Sequence, residues 1–539
     1  MFRKLIFLLT ISLIAPILLS AQEQDKRFQV KWGKETTEPS NTMLSKIVSW
    51  NKAGFYAVRL KANNQSSEEG PSKVFLERYD PSMNLVKSRE LDLKYKKKKR
   101  QFEDLLMIGG NLYFLTSFNN MGKRINYLFA QKVNLNNLQV DRDLQLISQI
   151  PTRNKYRDGA FKSHISRDSN KVLIYSELPY KKNEPERFAL NIFDNQLQEL
   201  WDKDIALPYD DNQFVVEDYQ IDNQGNVYLL GVLYQDAALS RRKGLPNYKY
   251  IILAYNQLGE KATKYKIDLN EKFITDLTFR IADNGELICS GFYSDVGTYS
   301  TKGTYFFKID PKDKRVYNTN AKELDFDFRT EYVSDRKKDR IKDQESKGNL
   351  KRSAELYSYS LDHLILRNDG GALLIAEQYY VEQRTEDRYF GYNSWNNRYS
   401  IEYFYNYNDI IVVNIKPDGE VEWAARIPKQ QETRNDGGYF SSYAMSIVRD
   451  KIYFIYNDNA RNFSPDKKPN RFYNFDGRNS IIALSTVYQN GDVETVPLFQ
   501  NSDANVLTRP KVCRQIGKKE MAVYGERGRR SRFGKLRFD

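Results

Sequence analysis

A short polar turn followed at once by an apolar strand recurs eight times along the 539 residues, and no other feature constrains the fold so tightly. The clearest copies are Asp222-Asn223-Gln224-Gly225 before Val227-Tyr228-Leu229-Leu230, Asp283-Asn284-Gly285 before Leu287-Ile288-Cys289, Gly109-Gly110-Asn111 before Leu112-Tyr113-Phe114, and Asp369-Gly370-Gly371 before Ala372-Leu373-Leu374. Fainter copies begin at Asn51, Asp168, Arg449 and Gly517. Asn-Gly, Asp-Gly and Gly-Gly between apolar runs mark tight hairpins, because such turns need residues that tolerate positive φ. A second hairpin follows within the repeat, as at Asp310-Pro311-Lys312-Asp313 and Pro417-Asp418-Gly419, so each repeat of roughly 60 residues holds four strands.

Four-stranded units at regular spacing predict an all-β fold, an eight-bladed β-propeller, because a closed ring of blades leaves few exposed sheet edges. The eighth repeat ends after its third strand at Phe538, and an isolated strand, Phe28 to Trp32, precedes the first repeat. The N-terminal strand is therefore expected to complete the last blade, with Trp32 in the place of Trp201 and Trp423 in the fourth strands of other repeats. The expected organisation is a signal peptide over 1–21 and a single propeller over 22–539, with insertions at 325–355, 378–408 and 458–479.

Arg3 and Lys4 followed by an apolar run from Leu5 to Leu19 and the small residues Ser20 and Ala21 predict the export signal. The expected location is the periplasm or cell surface of a Gram-negative-type bacterium, with no transmembrane span in the mature chain. Two cysteines, Cys289 and Cys513, exclude a disulfide scaffold and are expected as separate buried thiols. The formal charge of +14, or +12 once Arg3 and Lys4 leave with the signal, favours acidic partners.

With strands a to d counted outward from the axis, the a–b and c–d turns share one face and are short. The long connections, Lys94 to Gln101, Gln235 to Asn247, Asp325 to Glu355, Gln378 to Asn408 and Asp458 to Asn479, all fall on the other. Long loops on a rigid frame commonly carry function. Candidate binding residues are Tyr379, Tyr380, Tyr389, Tyr392, Trp395 and Tyr399 in the aromatic segment, Lys96, Lys97, Lys98 and Lys99 in a basic run, and Arg529 and Arg530 in the last b–c turn. The plain alternatives are a long b–c hairpin packing its aromatics on one another, and solvated charge runs. The charged stretch Asp335 to Ser353 is expected as a solvated helix or an unstructured excursion.

Catalytic signatures are missing. The two histidines, His164 and His363, fall on innermost strands far apart in sequence, and no His-Glu-x-x-His, Cys-x-x-Cys or glycine-rich phosphate loop occurs. Glu382, Glu386 and Asp387 on the aromatic segment could form paired carboxylates, at a spacing common in loops. No catalytic residue, metal or cofactor is assigned.

The Asp-Asn-Gly hairpins and the Pro417-Asp418-Gly419 turn leading to Trp423 resemble the repeats of bacterial secreted β-propeller proteins of quinoprotein-like or YVTN-like architecture. The resemblance implies the architecture and no redox activity, because the cysteine and cofactor-contact patterns of quinoprotein dehydrogenases have no match here. The expected function is a non-catalytic envelope or secreted interaction protein, monomeric outside a complex, that binds an envelope protein through the long-loop face. The alternative is binding or processing of a glycan, such as an acidic one, by the aromatic segment 378–408. Nucleic acid is not an expected partner of an exported chain.

Overall fold

A computed structural model of the chain describes residues 28–538, apart from 63–69, 96–97, 154–158, 180–183, 211–212, 236–240, 243–244, 259–261, 268, 270–271, 332–334, 348–353, 388–398, 468–470, 476 and 478. The segment 1–21, expected as an export signal, lies outside the described residues.

Eight antiparallel sheets of four main strands form an eight-bladed β-propeller. The innermost strands, a, run Thr42–Asn51, Gln101–Ile108, Ala160–Ile165, Phe214–Ile221, Phe273–Ile281, Tyr359–Leu366, Tyr443–Val448 and Arg514–Gly517 in blades 1 to 8. Neighbouring a strands touch around the ring, and the Tyr443 hydroxyl donates to Asp362 Oδ2 at 2.7 Å to join blades 6 and 7.

Each turn that marked a repeat joins strands a and b. In Asp222-Asn223-Gln224-Gly225 the Gly225 N–H donates to the Asp222 carbonyl and the Asp222 carboxylate accepts from the Gln224 N–H. Gly225, Gly285, Gly370 and Gly419 sit at φ of 91°, 87°, 87° and 90°, a region costly for residues with a Cβ.

Strands b and c lie in mid-blade between two neighbours and are apolar on both faces. Val227–Tyr234 and Leu287–Ser294 are buried along nearly their whole length. The outer strand Glu199–Asp210 meets water on one face and alternates accordingly. The core is consequently distributed between blades. Leu112 and Phe114 of blade 2 pack with Val58, Val74 and Leu76 of blade 1, while Tyr228 and Leu230 of blade 4 pack with Phe279 and Cys289 of blade 5. Cys289 and Cys513 are both buried free thiols.

The ring closes through the N-terminal strand Gln29–Trp32, which pairs antiparallel with Arg530–Arg537, the c strand of blade 8. Trp32 lies opposite Gly534, three residues before the end of that strand, whereas Trp201 and Trp423 lie opposite Ile192 and Asn414, two and one residues before theirs. The tryptophan is thus shifted along the blade relative to the expected place. It packs edge-on against Phe499 of blade 7 at 5.4 Å and under the Arg532 guanidinium at 4.8 Å.

A buried ionic network reinforces the closure. Arg59 in blade 1 contacts Glu38 at 2.6 Å and Glu77 at 2.8 Å. Tyr79 donates to Glu77, and Tyr524 of blade 8 donates to Glu38. Glu38 follows the closing strand, so one guanidinium ties both ends of the chain to blade 1. Removing one member of a buried ion pair leaves its partners charged and desolvated. Arg59→Ala is therefore expected to lower stability by about 3–5 kcal/mol, measured as a shift of the urea midpoint at unchanged slope.

Candidate functional site

In blade 6 strands b and c outgrow the ring. They span Ala372–Asp387 and Tyr399–Ile415 and stay paired from Ala372↔Ile415 to Asp387↔Tyr399, with one irregularity at Gln378. Most of the segment expected as an insertion, 378–408, is thus a continuation of the blade: an arm of two long strands on the long-loop face, joined along Phe404 to Asn406 by a short third strand, Glu432–Arg434.

The arm has two chemically distinct faces, because successive side chains of a strand point to opposite sides. One carries Tyr379, Val381, Ile401, Tyr403, Tyr405 and Tyr407, with Tyr379 opposite Tyr407 and Val381 opposite Tyr405. Tyr379, Val381, Ile401 and Tyr403 are 38%, 41%, 58% and 38% exposed, enough to form a continuous apolar and aromatic stripe facing water. The other face is consumed by its own contacts. Arg384 lies 3.9 Å over the Phe404 ring and pairs with Glu382 at 2.6 Å and Glu432 at 3.0 Å, and Arg434 pairs with Glu402. Glu382 is thereby held in an ion pair with Arg384.

The root of the arm is fixed to blades 7 and 8. The buried Lys429 ammonium donates to Glu377 at 2.6 Å, to the Tyr407 carbonyl at 2.8 Å and to Gln431 at 3.2 Å. Ser442 donates to the second Glu377 oxygen at 2.8 Å, and Gln431 donates to the Asn457 carbonyl at 2.7 Å. Lys511 of blade 8 donates to the Tyr407 hydroxyl at 2.8 Å, and burial pushes its ammonium below the ordinary lysine range, with Glu377 opposing.

The nominated aromatics divide accordingly. Tyr379 lies on the stripe, while Tyr380 turns to the paired face, 6.3 Å from the Tyr357 ring. Tyr399 is placed by its backbone pairing with Asp387, and Tyr389, Tyr392 and Trp395 lie outside the described residues. Val381, Ile401, Tyr403, Tyr405 and Tyr407 escaped nomination. Their alternation with Glu382, Arg384, Glu402 and Phe404 is a period-two signal that marks a strand face.

The basic candidates are not brought into one site. Lys98 and Lys99 are exposed in a short strand paired with Lys94–Tyr95, and Lys96 and Lys97 lie outside the described residues. Arg529 donates to the Glu38 carbonyl at 3.0 and 3.2 Å and Arg530 pairs with Glu35 at 3.4 Å, so both guanidiniums meet the segment that closes the ring. The expected solvated helix is found at Asp335–Ser346, with no buried residue, and is pinned by Glu345 to Arg329 and the Ala354 N–H.

The central channel carries charge of its own. Asp276 and Asp362 sit on the a strands of blades 5 and 6, where Asp276 accepts from the Leu361 N–H and Asp362 from the Tyr443 hydroxyl, each at 2.7 Å. Burial pushes Asp276 up to about 6, aided by Glu217 and opposed by the Leu361 N–H. Burial likewise pushes Asp362 up to about 7, opposed by the Tyr443 hydroxyl and by Lys429 and aided by Glu377 and Asp276. His164 and His363 are both lowered by burial, with Arg280 adding to the effect and Asp218 opposing it at His164. No group of three metal-ligating side chains converges among the described residues.

No protein-family model matches the chain, and no curated protein matches it. Among solved structures it is similar to the WD40 domain of SCAP from fission yeast, at 8% identity over 95% of this chain and 98% of that one, with a TM-score of 0.37. It is also similar to a Synechocystis apocarotenoid oxygenase at 9% identity, 88% and 93% coverage and a TM-score of 0.34. A Penicillium chrysogenum alpha-L-arabinanase matches at 7% identity, 65% and 92% coverage and a TM-score of 0.32. These likenesses transfer no activity.

The channel carboxylates have a consequence for stability. A carboxyl raised above its unfolded value near ~4 keeps its proton in the folded state, so it costs nothing below that value, and the destabilisation builds as pH rises from there and is complete above the folded value. Asp362→Asn keeps an acceptor for Tyr443 and removes the charge. It is expected to melt about 1 °C or more above the parent at pH 8, with the difference shrinking as pH falls below about 7 and gone only below about pH 4 in parallel thermal melts.

Proposed function

We propose that the protein is a non-catalytic binding propeller of the bacterial envelope whose long-loop face, led by the blade 6 arm, docks a protein partner. The carrying observation is the arm's division into a self-paired charged face and an open aromatic stripe. Aromatic side chains supply much of the contact area in protein interfaces at modest entropic cost, and the open face of the arm has the apolar and aromatic composition of an interface core. The Lys429–Glu377 root supports the same reading, because a platform fixed to three blades loses little freedom on binding.

The absence of a recognisable reaction centre among the described residues leaves the arm as the most differentiated chemistry on that face. An export signal over 1–21 would deliver the propeller to a compartment of envelope proteins. Mass spectrometry of the exported protein is expected to give Gln22 as the first residue.

The stripe is tested with Val381→Lys and Tyr403→Lys combined in the full-length chain. Both positions are exposed, so melting should be unchanged. Affinity purification from solubilised envelope should recover a stoichiometric partner with the parent and at least tenfold less with the variant. Equal recovery by a variant that melts normally would overturn the arm as the docking surface.

A further inference from the structure

Blade 2 holds a pocket of about 360 Å³ on its b and c strands, where the Lys94 to Lys99 connection from blade 1 arrives. Phe118 and Tyr127 are opposite one another on Asn111–Asn120 and Ile125–Val133, and Phe129 continues the same face. The rings of Tyr127 and Phe129 lie 5.9 Å apart and 23° from parallel, which makes a flat apolar platform. Among the described residues that line it are three cations and no carboxylate. Lys98 places its ammonium 5.1 Å from the Phe118 ring, Lys123 comes from the b–c turn, and Arg100 forms the floor.

The cations differ in what they can offer. Arg100 is buried and oriented by Thr116 at 2.7 Å, Gln131 at 2.7 Å and the Asp92 carbonyl at 3.1 Å. Its planar fork is thus spent on the protein, and it acts on the pocket through its field. The ammonium groups of Lys98 and Lys123 make no ion pair among the described residues. Lysine ammoniums are compact point charges that can meet a single carboxylate without bidentate geometry.

We infer that this pocket binds an acidic sugar, a uronic-acid unit whose ring lies on the Tyr127–Phe129 platform and whose carboxylate meets Lys98 and Lys123. The volume is in the range of small-ligand sites, and a sugar ring presents a C–H face that packs against an aromatic surface while its rim seeks polar partners. A purely anionic ligand would leave the platform unused. A neutral sugar would leave two cations without a counter-charge. The inference does not rest on the blade 6 arm, and the two sites lie on different blades.

The test is calorimetric titration of the full-length chain with digalacturonate, with a neutral disaccharide and with inorganic phosphate. Digalacturonate alone is expected to bind, and more weakly as salt rises, because the lysines face solvent. Lys123→Glu, an exposed change that should not affect folding, is expected to weaken binding at least tenfold, and Tyr127→Ala likewise with melting checked in parallel. Equal binding of the neutral disaccharide, displacement of digalacturonate by millimolar phosphate, undiminished binding to Lys123→Glu, or no binding of digalacturonate would each overturn the proposal. None of these outcomes bears on partner capture by the arm.

Discussion

A blade of this protein has no core of its own. Its b and c strands are apolar on both sides, so each blade is stable only while a neighbour covers each face, and that condition is met for all eight only when the ring closes. Closure therefore falls to the pairing of Gln29–Trp32 with Arg530–Arg537, and the heaviest buried electrostatics collect there. Arg59, Glu38, Glu77, Tyr79 and Tyr524 form a network that costs much to desolvate and penalises any arrangement leaving one member unpaired. Such a network favours the registered seam over a slipped one.

A closed ring also divides the molecule into two kinds of surface. The a–b and c–d turns are constrained by tight hairpin geometry and have no room to diversify. The opposite face admits long connections at small closure cost. Blade 6 uses that freedom by lengthening its own strands, which keeps the backbone of the arm hydrogen-bonded to Asp387 and Tyr399. Lys429 and Lys511 then fix the base of the arm to neighbouring blades. The channel shows the reverse arrangement, with Asp276 and Asp362 held where burial disfavours ionisation.

Much of this was legible in the chain. The eight turns, the hairpins at Asp310 and Pro417 and the unpaired strand at Phe28 to Trp32 were readable because glycine and asparagine conformations and strand periodicity are local properties. The candidate site was legible only in composition. Tyr379 was nominated and lies on the open stripe, whereas Tyr380, its neighbour, points into the charged face, and the difference depends on which side of the arm each residue takes after the irregularity at Gln378. Arg529 and Arg530 read as a free basic patch, yet their partners Glu38 and Glu35 come from the other end of the chain.

The amino-acid sequence alone determined the repeat, the strand order within each blade, the side on which long segments emerge and the need for a closing strand, because each follows from residue types within a few positions of one another. The tertiary structure decided which charges are spent and which remain available. Arg384, Arg529 and Lys429 find partners distant in sequence, while Lys98 and Lys123 face a shared aromatic platform assembled from three separate segments of chain. Electrostatic pairing and pocket shape depend on distances between strands and between neighbouring segments, and those distances exist only once the sheets have paired.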